Sequence, residues 1–129
     1  MAKELIDKLG FVATQVRSWI DVLVLQVDQH TKSMNEDYEH FFRWYSEDMY
    51  KIQVELFYYR ELQREIKTDS LCEVLSYLEG KIKEFEDELL EKGLSQHSTS
   101  PATNLAYTLR LEAKQHLRKR FQLLIKGIK

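Results

Sequence analysis

The chain has 129 residues, 43% of them hydrophobic and 31% charged, which is enough apolar mass for one domain with a core. Disorder, collagen-like repeats and a membrane-embedded chain are excluded on composition. One Pro and four Gly are too few for a turn-rich sandwich or barrel, and a formal charge of −2 is not that of a polycation seeking nucleic acid.

The apolar residues fall into four amphipathic segments. In the first, about residues 3–31, Leu5, Leu9, Val12, Val16, Trp19 and Leu23 step by four and three, which places them on one helical face. Ser33-Met-Asn-Glu36 then has the Ser-x-x-Glu form of a capping box, which predicts a helix start there. The second segment, about 35–67, carries Tyr38, Phe42, Tyr45, Met49, Ile52, Leu56 and Tyr59 on a heptad stripe, with Phe41 at its margin. A second box, Ser70 to Glu73, opens the third segment, 70–92, whose stripe is Leu71, Leu75, Leu78, Ile82, Phe85 and Leu89 and which stops near Lys92-Gly93.

Residues 93–101 read as a loop, and Ser100-Pro101 suits a cap followed by Pro in the first helical turn. The fourth segment, 102–126, presents Ala106, Leu109, Ala113, Leu117, Phe121 and Leu124, continued by Ile128. Four long helices with short connections predict an all-α fold, an antiparallel up-down four-helix bundle forming a single domain over 1–129.

Aromatic residues crowd the second helix. Opposite its heptad stripe, Tyr50, Val54 and Phe57 make a second apolar stripe, with Tyr58 and Trp44 beside it. A single four-helix core has difficulty covering both faces of one helix, so these five residues are expected to form an interface, a homodimer in preference to a foreign partner. The leading functional expectation is therefore a non-enzymatic helical interaction module.

Charge is unevenly spread. Seven cations and one acid lie between Arg110 and Lys129, giving +6 there and leaving −8 over residues 1–109. Arg110, Lys114, Arg118, Lys119, Arg120 and Lys126 form a candidate basic patch for an acidic protein or RNA, with Lys114, Arg118 and Lys126 expected to point outward. Pairing with the acidic third segment (Glu79, Glu84, Glu86, Asp87, Glu88, Glu91) is the internal alternative. Glu112, His116 and Arg120 follow one another at i, i+4 as a ladder at the edge of the buried face.

Arg110 and His116 also fit Arg-x5-His, which resembles the Arg-x4–6-His motif of the HEPN superfamily, small all-helical bundles that are often RNases. The resemblance covers only Arg110 to His116 and implies a catalytic Arg–His pair on a late helix, acting across a dimer cleft; Leu111 stands where the family often has a polar residue.

For metals, His30 and His40 could approach one another across the first connection, with His97 in the loop expected at the same end, although no paired Glu-x-x-His repeat accompanies them. No phosphate loop or nucleophile motif is present, and no cofactor is expected. Cys72, the only cysteine, is expected as a partly buried small hydrophobe and fits a reducing compartment. The opening Met-Ala-Lys-Glu-Leu-Ile-Asp-Lys lacks the apolar run of a secretory signal, so the expected location is cytoplasmic.

Overall fold

The structure, a computed structural model, describes residues 2–91 and 100–129. These are all-α: α1 (Ala2–Glu36), α2 (Tyr38–Trp44), α3 (Ser46–Ile66), α4 (Leu71–Glu91) and α5 (Pro101–Ile128). The expected loop around Gly93 and the stop at Lys92-Gly93 lie outside the described residues.

The first helix runs further than its sequence box suggests. The amide of Asp37 donates to the Ser33 carbonyl at 2.9 Å, so Ser33 is still helical and its hydroxyl is not at a helix start. The break falls at Asp37, whose extended backbone (φ −154°) lets its carboxylate accept from the His40 amide at 3.1 Å. The expected second helix is then interrupted again at Tyr45 (φ −125°, ψ −9°), next to which the Ser46 hydroxyl donates to the Phe42 carbonyl at 2.6 Å.

These two breaks change which aromatics face inward. Phe41 is buried, with its ring against His30 at 6.3 Å, while Tyr38, Phe42 and Tyr45 of the expected core stripe are exposed. Downstream of Tyr45 the stripe is followed as expected: Ile52, Leu56 and Tyr59 are all buried.

The other caps form where the sequence places them. Asp69 takes the left-handed region (φ 58°), which Asp tolerates better than most residues, and the Ser70 hydroxyl accepts from the Glu73 amide at 3.2 Å. Ser100 caps α5 by accepting from the Thr103 amide at 3.3 Å, with Pro101 in the first turn.

Contacts between named side chains give the topology. Trp19 meets Tyr59 while His30 meets Asp48, so α1 and α3 are antiparallel. Tyr58 meets Phe85 while Glu61 meets Tyr77, so α3 and α4 are antiparallel. Glu88 meets Lys114 and Glu86 meets Arg118, which reverses direction again between α4 and α5. Lys51 with Glu112 and Glu55 with His116 make α3 and α5 parallel, as alternate helices of an up-down bundle must be.

The α3 and α5 helices also touch directly, with the Tyr59 and Phe121 rings 6.3 Å apart, whereas α1 and α4 barely meet. The cross-section is therefore a diamond with α3 and α5 on its short diagonal. Tyr59, Phe85 and Phe121 fill its centre, joined by Val16, Leu62, Leu78 and Leu117. Each such fully buried side chain contributes about 1.5–3 kcal/mol by leaving water. No described helix is long and apolar enough to cross a membrane.

Candidate interaction surface

Because α3 sits on the short diagonal, its Ile52–Leu56–Tyr59 face is covered and the far side is left to solvent. There Tyr50, Gln53, Val54, Phe57 and Tyr58, with Arg110 from α5, line an open hollow of about 280 Å³. Phe57 stands on its rim with 54% of its surface exposed. Tyr50 and Val54 are half-buried.

Two of the five expected interface residues sit differently. Tyr58 is only 8% exposed, because its ring is closed under Phe85 at 5.1 Å and Lys81 lies over it at 5.8 Å; it forms the floor of the hollow and belongs to the core. Trp44, 65% exposed, ends α2 and lines another hollow, of about 170 Å³, with Asp37, Glu39, His40 and Arg43. The face around the α3 hollow thus consists of Tyr50, Val54 and Phe57, edged by Gln53 and Arg110.

The basic helix is largely spent inside the bundle. Lys114, expected to point outward, is 6% exposed; its ammonium is 2.6 Å from Glu88 and 5.9 Å from the centre of the Phe85 ring. Arg118 is half-buried and lies 3.4 Å from Glu86. Arg120 lays its guanidinium over Trp19 at 4.6 Å. Lys119 and Lys126 are exposed. Arg110 is exposed too, and among the described residues it makes no ion pair.

The Glu112–His116–Arg120 ladder is realised only in its second half. Arg120 Nε donates to His116 Nε2 at 3.3 Å, but Glu112 turns away to Lys51 at 3.4 Å. His116 instead meets Glu55 of α3, Nδ1 to Oε1, at 2.6 Å. Since Nε2 accepts from Arg120, the ring proton is on Nδ1 and is donated to the Glu55 carboxylate. Burial, with the Glu55 charge second, raises the Tyr59 pKa well above that of a free phenol. Trp19, Val22 and Leu23 complete a hollow of about 120 Å³ beside this network.

Sequence reading passes over Glu55 as a site residue. The signal was its register: three residues after Ile52 and four before Tyr59, it lies on the arc facing the core, where an acid needs a partner.

Arg110 and His116 are not brought to one site. Six residues at about 100° each turn them roughly 120° apart around the helix, so Arg110 edges the α3 hollow while His116 faces Glu55.

His30 and His40 approach Tyr45, with ring centres 5.3 and 5.6 Å from it, and His30 Nε2 is 2.7 Å from Asp48. No group of three His, Cys, Asp or Glu able to hold a metal occurs among the described residues, and His97 lies outside them. Cys72, expected partly buried, is exposed on α4.

Comparisons of the chain with protein-family models, curated proteins and solved structures find no match.

Proposed function

We propose that this protein is a non-enzymatic helical interaction module that pairs with a second copy of itself through the outer face of α3. The observation that carries the reading is Phe57: an aromatic ring left more than half in water beside an apolar hollow on the same face. A projecting ring and a recess on one surface are what a two-fold interface requires, since each copy then supplies both parts. Aromatic and Arg side chains at the centre of a patch are the usual anchors of such contacts, and Arg110 at the edge can face the incoming ring as a cation–π partner. A cytoplasmic setting is part of the proposal, supported by the lone exposed thiol of Cys72.

Sedimentation velocity over a micromolar concentration series tests it. Self-association that is abolished by Tyr50→Glu plus Phe57→Glu, with helicity unchanged, is the expected outcome. A wild-type chain that stays monomeric through the series would overturn the reading.

A further inference from the structure

The outward stripe of α3 carries more information than its apolar centre. Glu47, Tyr50, Val54, Phe57, Glu61 and Arg64 follow one another by three and four residues, a heptad seam of alternating a and d positions. Glu47 occupies the first turn of α3 and Arg64 the last. Both are exposed, and among the described residues neither has an ion-pair or hydrogen-bond partner. The seam therefore carries an unpaired anion at one end, an unpaired cation at the other and Tyr50, Val54 and Phe57 between them, over roughly 25 Å at 1.5 Å per residue; Glu61, next to the cationic end, is half-buried and its carboxylate already accepts from the Tyr77 hydroxyl of α4 at 2.8 Å.

Two copies of such a seam can pair in only one direction without charge conflict. Parallel pairing sets Glu47 on Glu47 and Arg64 on Arg64. Antiparallel pairing sets each a position against a d position of the second copy: Glu47 against Arg64, Tyr50 against Glu61, Val54 against Phe57. That last layer brings the ring of Phe57 over Val54 of the second copy, which is where the hollow beside Arg110 lies. The charges at the ends and the recess at the centre thus select the same register, although they are separate features of the surface.

On this basis we infer that α3 pairs antiparallel with α3 of a second copy, with Phe57 seated in the other copy's hollow and two Glu47–Arg64 ion pairs closing the ends. The inference rests on the self-association proposed above and adds its direction and register. The ion pairs contribute mainly to specificity, since like charges at the same places repel.

A charge-exchange experiment on the full chain tests it, with circular dichroism confirming that each variant is folded. Glu47→Arg alone and Arg64→Glu alone should each weaken self-association about tenfold or more, because each puts like charges face to face at both ends. The double exchange should restore wild-type affinity. An equimolar mixture of the two single variants should also associate, since each supplies the charge the other lacks. Single variants that associate as tightly as wild type, or a mixture no tighter than its components, would overturn the register while leaving a wild-type dimer as proof of the pairing itself. A monomeric wild type would overturn both.

Discussion

Removing the imidazole at His116 isolates the Glu55 carboxylate, and the structure sets the size of the effect. Glu55 has 11% of its side chain exposed, so water cannot replace a lost partner from its own side. The bond from His116 Nδ1, at 2.6 Å, is charge-assisted, and such bonds contribute about 1.5–3 kcal/mol. His116, however, has 48% of its side chain in solvent, so water enters the space it vacates and the cost moves to the lower end of that range. His116→Ala should therefore lower stability by about 1.5 kcal/mol.

Glu55→Gln keeps the shape but removes the charge, and should cost about 1 kcal/mol. In the double variant most of the second loss should vanish, a coupling of about 1 kcal/mol. Urea denaturation followed by tryptophan fluorescence measures all three, with Trp19 stacked on Arg120 reporting the site directly. Strictly additive losses, with coupling below about 0.3 kcal/mol, would refute the pairing as the reason Glu55 is tolerated on the inward arc.

Tyr59 and Tyr77 both have raised folded-state pKa values, caused first by burial and then by Glu55 and Glu61 respectively. Their contribution to stability is complete below the unfolded tyrosine pKa of about 10 and is lost as pH climbs from there toward the folded values. Denaturation midpoints should accordingly fall above about pH 10, and Tyr77→Phe should flatten that fall; an unchanged alkaline slope would contradict it. Gly80 lies inside α4 with nothing within 4 Å of where a Cβ would stand, so Gly80→Ala should add about 0.5–1 kcal/mol and raise the melting temperature by a few degrees. A lower melting temperature would mean that this face of α4 is covered.

The fold class and three of the four long helices were legible because heptad stripes, Ser70 and Ser100 each act locally. The region between Ser33 and Tyr45 was not. A helix already in progress absorbed Ser33 there and left the break to Asp37. Periodicity counted straight through that break therefore put Tyr38 and Phe42 inward, whereas Phe41 is the ring that packs.

The outer stripe of α3 was legible in its middle, at Tyr50, Val54 and Phe57. Tyr58 lines the same hollow from below, closed over by Phe85 and Lys81 of α4, because a residue at the border of two faces is placed by its neighbours and not by its own register. Lys114 is the same case on α5: expected to point outward, it is interior, with Glu88 supplying its counter-charge. Long-range pairs of this kind carry no local pattern.

Sedimentation velocity of the wild-type chain from about one to one hundred micromolar, run beside the Tyr50→Glu/Phe57→Glu variant, addresses the central claim most directly. The account predicts a concentration-dependent shift from the 15.5 kDa monomer to a species of twice that mass, absent in the variant. A single 15.5 kDa species for both chains across the whole range would contradict it.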